Sequence, residues 1–185
     1  IRPVLECVDA VTVYLDDMGV DTLRNVQIRE SESDNCTMNP QGPLILGGPP
    51  ARAFDCASVD MTVDRQFFIR DMSGNVSDTC TVAVTILDTI APIVSHPDTT
   101  LFLDQNGEAI LVVADMTFDT VENCTVTNVE LFRADEVAVN FAGNGFAAFD
   151  QQILFDCDDL DDSPIEILVV ATDQSGNMDT TSFFA

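Results

Sequence analysis

The apolar residues of the chain fall in short runs rich in Val, Ile, Thr and Phe, and Gly, Pro, Asn or Asp closes each run. That punctuation is the mark of strands joined by turns, and no segment sustains the stripe of an amphipathic helix. In the second half it predicts strands near Ile93–Ser95, Thr99–Leu103, Ala109–Ala114, Thr125–Phe132, Val137–Asn140, Ala147–Phe155, Ile165–Thr172 and Met178–Phe184. About seven short strands with regular turn signals point to an all-β, immunoglobulin-like sandwich. The segments "DMSGN" (Asp71–Asn75) and "DQSGN" (Asp173–Asn177) fall between the last two strands of each half. There Gly74 and Gly176 are expected to supply the positive φ of a tight hairpin.

These two segments belong to a longer phrase written twice. "IRPVLECV" matches "IAPIVSHP", "VTVYLDDMG" matches "TTLFLDQNG", "DNCT" matches "ENCT", and "AFDC" matches "LFDC", all in one order. Self-similarity at a long fixed period indicates copies of one domain. The reading is two tandem immunoglobulin-like domains, 1–87 and 88–185, meeting at "ILDTIAP", Ile86 to Pro92. Ile1 aligns with the middle of that linker, and Ala185 stops where the first copy continues through "VAVTILD", so a piece of a longer array is expected. No apolar run is long enough to cross a membrane as a helix.

The repeat also sorts the cysteines. Cys36 and Cys56 correspond to Cys124 and Cys157, whereas Cys7 aligns with His96 and Cys80 with Ser182. Joint loss of Cys7 and Cys80 in the second copy is what a disulfide between them predicts. Joint retention of the others selects Cys36–Cys56 and Cys124–Cys157, giving two bonds in the first domain and one in the second. Each would be worth roughly 3 to 4.5 kcal/mol on the chain-entropy model. The absence of C-x-x-C spacing argues against zinc, and the compartment is expected to be oxidising: secreted, periplasmic or cell-surface.

The motif order "D-T-x-A-P", "L-D-x-x-G", "[D/E]-N-C", "F-D-C", "D-x-S-G-N" and a closing Cys resembles the hyalin-repeat-like and bacterial immunoglobulin-like modules of large secreted proteins, especially those of Bacteroidota. That resemblance implies a tandem structural module: a stalk of a surface adhesin, a gliding or attachment protein, or a fibre-forming extracellular polymer. The second copy departs from it at His96 and Ser182.

Thirty-two acidic residues against seven basic ones give a formal net charge of −25, which makes nucleic acid and anionic membrane poor partners. All basic residues are Arg, so Lys–Asn isopeptide bonds and Schiff-base chemistry cannot form. Hard carboxylate ligands in loops suit Ca²⁺. The sandwich topology would set Asp88 near Asp173 and Asn177 of the domain that follows, and near Asp16, Asp17, Asp60 and Asp64 of the domain before. The far end of the second domain would carry Asp104, Asp158, Asp159, Asp161 and Asp162. Calcium at inter-domain junctions would stiffen a rod. Set against it, Asp is a favoured turn former through its own backbone hydrogen bonds.

Sequons occur at Asn35, Asn75 and Asn123. Asp-Thr signals resembling the Bacteroidota O-glycosylation motif occur at Thr22, Thr89, Thr99, Thr120 and Thr180. The single histidine, His96, stands where the sister copy has a cysteine, and no G-x-S-x-G elbow is present. An enzyme is therefore not expected. Two binding-type readings remain. One is a non-catalytic structural repeat that acts as a rigid spacer or assembly unit, with neighbouring repeats or subunits of the same protein as partners. The other is an adhesin tip recognising a glycan or protein. For the latter, the long connection Met38 to Phe54 is the candidate, and its apolar Leu44, Ile45 and Leu46 read first as a buried edge strand.

Overall fold

The computed structural model describes residues 1–46, 52–134 and 152–185. The chain divides into two compact units, Ile1–Thr89 and Ile90–Ala185. The first contains β1 (Val4–Cys7), β2 (Ala10–Tyr14), β3 (Val20–Thr22), a single helical turn α1 (Asn25–Ile28), β4 (Arg29–Ser33), β5 (Leu44–Ile45), β6 (Ala53–Asp55), β7 (Thr62–Phe68) and β8 (Cys80–Leu87). They form the four-stranded sheet β2-β8-β7-β5 and the antiparallel pairs β1·β4 and β3·β6. β2 runs parallel to β8. Alternation builds the core, because Val82, Val84 and Ile86 of β8 all point inwards and are fully buried. Val13, Leu23, Ile28, Phe67 and Ile69 complete that buried set, each aliphatic side chain contributing about 1.5–3 kcal/mol.

The second unit repeats this plan with β9 (Ile93–Ser95), β10 (Ala109–Val112), β11 (Asp119–Val121), β12 (Val126–Arg133), β13 (Gln152–Phe155), β14 (Glu166–Asp173) and β15 (Met178–Phe184). The pairs β9·β11 and β10·β13 answer to β1·β4 and β3·β6, and the sheet β12-β14-β15 answers to β5-β7-β8. Ile167, Val169 and Ala171 of β14 are fully buried and pack with Val94, Leu111, Leu131, Ile153, Phe155 and Phe183. The architecture is all-β and immunoglobulin-like.

Several sequence expectations change. Thr99–Leu103 is not a strand, β11 appears where none was expected, and Ala109–Ala114 is a strand only to Val112 before a 3-10 turn. The expected strand Val137–Asn140 and the first part of Ala147–Phe155 lie outside the described residues. Leu44 and Ile45 do form an edge strand, β5, against Phe68 and Phe67 of β7. The match of Cys80 to Ser182 is off by one. Cys80 faces Phe67 in the first unit, and Thr181 faces Val169 in the second. The reason is a one-residue irregularity in the first hairpin, where Arg70 bridges Val76 and the buried Ser77 hydroxyl accepts from the Ile69 amide at 3.0 Å. The second hairpin is regular from Thr172–Met178 onwards.

Candidate functional site

The repeated motifs resolve first into turn chemistry. In "D-x-S-G-N" the Asp is the keystone, and both Asp71 and Asp173 are only 2% exposed. Asp71 accepts from the Asn75 amide N–H at 2.7 Å and from the Asn75 side chain at 2.6 Å. Asp173 accepts from the backbone of Ser175 and Asn177 and from the Asn177 side chain, each at 2.8 Å. Gly74 and Gly176 take φ of 88° and 82°, as the hairpin requires. "L-D-x-x-G" works the same way. Asp16 accepts from Met18 and Val20, and Asp104 from Asn106 and Glu108.

At Asp71 and Asp104 the donors favour the ionised form. The Asn75 side chain, joined by the backbone N–H groups of its turn, holds Asp71 below the usual carboxylate range. The Glu108 and Asn106 amides do the same for Asp104. A folded-state pKa below the unfolded one adds stability that is complete above about pH 4 and is lost as pH falls through the folded value. Urea unfolding followed from neutral pH downwards should show the first unit weakening below about pH 4, and Asp71→Asn should flatten that slope. An unchanged slope in the variant would remove Asp71 from the account.

The cysteines are partly as expected. Cys7 and Cys80 are bonded, with Cα atoms 6.0 Å apart. Cys36–Cys56 and Cys124–Cys157 are not formed, because Cys36 and Cys157 are exposed free thiols. The reason is position. Thr37, next to Cys36, accepts from Met72 of the Asp71 turn, whereas Cys56 lies against the Gly19 carbonyl at 3.6 Å, at the opposite end of the unit. Likewise Thr125, next to Cys124, accepts from Gln174 of the Asp173 turn, whereas Cys157 lies against the Gly107 carbonyl at 3.8 Å. The eight-residue strands β8 and β14 separate these ends, on the order of 23 Å at a strand's rise per residue. A disulfide needs Cα atoms within about 7 Å.

Among the acidic candidates, Asp17, Asp60 and Asp64 are exposed, and Asp16 serves its own turn. At the far end of the second unit, Asp159 instead pairs with Arg133 at 2.7 Å, while Asp158, Asp161 and Asp162 are exposed. Asp88, only 5% exposed, follows β8. Within the second unit, Asp173 and Glu122 offer carboxylate oxygens within 4.8 Å of each other. Glu122 also accepts from the Cys124 amide at 3.0 Å, and the Asn177 side chain donates to the Ile90 carbonyl at 3.3 Å. Two carboxylates this close in partly buried surroundings favour a cation between them. Glu122 was absent from the residues expected to ligate. Its signal is the acid before the Asn-Cys of both copies, Asp34 and Glu122.

His96 stacks on Phe183 and Phe118 at centroid distances of 4.7 and 5.3 Å, a packing role beside the strand that carries Thr181. Of the Asp-Thr positions, Thr22, Thr89, Thr120 and Thr180 are exposed and Thr99 is half-buried. Asn35 is exposed, and the Asn75 amide is held by Asp71.

No family model matches the chain, and no curated protein matches it in sequence. Solved structures do match. Extracellular domains 3–5 of Drosophila OTK share 10% identity over 99% of this chain and 58% of that one, with a TM-score of 0.35. Extracellular cadherin domains 1–4 of Protocadherin Gamma B7 share 14% over 99% and 49%, with a TM-score of 0.35. The D00–D0 domain of Intimin shares 10% over 99% and 98%, with a TM-score of 0.27. The chain thus spans about half the length of the first two. No helix among the described residues is long and apolar enough to cross a membrane.

Proposed function

We propose that the chain is a non-catalytic structural segment of an extracellular adhesin, stalk or filament, two tandem copies of one spacer domain. The observation that carries this reading is where the chain meets each unit. Arg2 pairs with Asp78, just past the Asp71 turn, at 3.1 Å, and Ile90 is held by Asn177 of the Asp173 turn. The chain therefore meets both units at the same end. In the first unit β8 carries it away at the opposite end, beside Leu15, whose amide donates to Leu87 at 3.0 Å. A module that takes the chain in at one end and releases it at the other adds length with every copy. Exposed Cys36 and Cys157 mark the two kinds of end, which suits neighbouring repeats or subunits of the same protein as partners.

Calcium belongs to this proposal as the stiffening element. Its ligands would be Glu122, Asp173 and the Ile90 carbonyl. Oxygen donors of this kind suit Ca²⁺, with the weak affinity of extracellular modules. Scattering and melting of the 185-residue chain, with millimolar calcium and then with chelator, test both parts. The expected result is an extended particle whose second unit melts higher with calcium, an increment that Glu122→Gln removes. A compact particle would end the spacer reading, and a melting profile indifferent to calcium would end the ion.

A further inference from the structure

The cysteines that recur in both copies do not share one state. Cys56 and Cys124 are each half of a disulfide, whereas their counterparts Cys157 and Cys36 are free thiols on the surface. Neither bonded sulfur is therefore joined to the second recurring cysteine of its own unit.

Each free thiol is held in the geometry of its bonded counterpart. The Cys157 sulfur lies 3.8 Å from the Gly107 carbonyl, as the Cys56 sulfur lies 3.6 Å from that of Gly19. Asp156 accepts from the Asp158 amide at 2.9 Å, as Asp55 accepts from Ala57 at 3.1 Å. A Cβ on Gly107 would come within 2.6 Å of the Cys157 sulfur, so this glycine leaves the room that the sulfur fills. At the other end of the units, the Cys36 amide donates to Asp34 at 3.2 Å and the Cys124 amide to Glu122 at 3.0 Å. Thr37 and Thr125, the next residues, are tied to the Asp71 and Asp173 turns alike. An exposed thiol built into the place of a bonded one, in a chain whose other cysteines are oxidised, is set to pair with a sulfur from another molecule. The bonded set holds one cysteine of each kind, which favours bonds between unlike kinds.

We propose that Cys157 of one molecule forms a disulfide with Cys36 of a second copy, a head-to-tail crosslink that repeats along a row of copies. The proposal rests on the reading of the chain as an assembly unit whose partners are copies of itself. The Cys157 thiolate attacks a small disulfide such as oxidised glutathione, whose S–S bond breaks and releases one glutathione. The Cys36 thiolate of the second copy then attacks the Cys157 sulfur and releases the other. Two protein thiols give up two protons and two electrons, which the small disulfide takes up in becoming two thiols.

The test incubates the 185-residue chain with oxidised glutathione and separates the products by electrophoresis without reductant. The expected result is a ladder that collapses on reduction, with the Cys36–Cys157 crosslink found in its digest by mass spectrometry. Cys36→Ser and Cys157→Ser should each stay monomeric alone, and their mixture should give a dimer and nothing longer. Both substituted side chains are exposed, so the melting transitions of the variants should stay in place. Dimers formed as readily by either variant alone as by the mixture would overturn the proposal, as would a single chain closed through its own Cys36 and Cys157. Monomers that carry glutathione and never crosslink would overturn it too. The spacer reading is decided separately, by scattering from the single uncrosslinked chain.

Discussion

Replacing Cys7 with Ser should lower the stability of the first unit by about 4 kcal/mol and leave the second unit's transition in place. The magnitude follows from the separation of 73 residues that the bond closes, through the loop entropy that an intact crosslink removes from the unfolded chain. For a domain of this size that is a large share of the total and shifts a melting midpoint by on the order of 20 °C. Cys80→Ser and the double variant should each give the same loss as Cys7→Ser, because any one of them removes the whole bond. Calorimetry resolving the two transitions is the measurement. A fall of both units together would mean that the bond's contribution is not confined to its own unit. Additive losses from the two single variants would mean that packing of the side chains, and not the crosslink, carries the effect.

The sequence made this bond legible because loss of sulfur at both positions is a paired event, and pairing is information about distance. Retention carries no such information. Cys36 and Cys56 each keep a counterpart in the second copy, and that fact is equally compatible with two cysteines at opposite ends of a unit that do not bond to each other, which is where the structure puts them. The turn motifs were readable for a different reason. Asp-x-Ser-Gly-Asn closes its hydrogen bonds within five residues, so its geometry does not depend on distant partners. Thr99–Leu103 was misread because a strand is defined by its neighbour, and alternating Leu101 and Leu103 cannot report whether that neighbour is present. The offset at Thr181 was hidden because it depends on the Ser77 hydroxyl reaching back to Ile69. Of the candidate site, Asp173 and Asn177 were legible as motif residues, whereas Glu122 joins them only through the fold.

The second unit lacks sulfur at the corresponding positions, and Phe183 is expected to do the equivalent work by packing. Phe183 is 2% exposed, belongs to the buried cluster around Ile167 and Val169, and carries the His96 ring on its face. Phe183→Ala should therefore cost the second unit about 3–5 kcal/mol, the range for deleting a buried aromatic side chain, with the first unit unmoved. Phe183→Leu keeps much of the volume and should cost well under half of that. His96→Ala should cost less again, because the ring is half-buried and gives up a tilted contact of about 0.5–1.5 kcal/mol beyond its area. This ordering separates two accounts of the missing disulfide. If the aromatic contact replaces the covalent closure between β9 and β15, the double variant with Phe183→Ala and His96→Ala should cost less than the sum of the two single losses, since each single change already breaks the stack. Strict additivity would mean that His96 and Phe183 stabilise the unit independently and that the place of the disulfide was left unfilled.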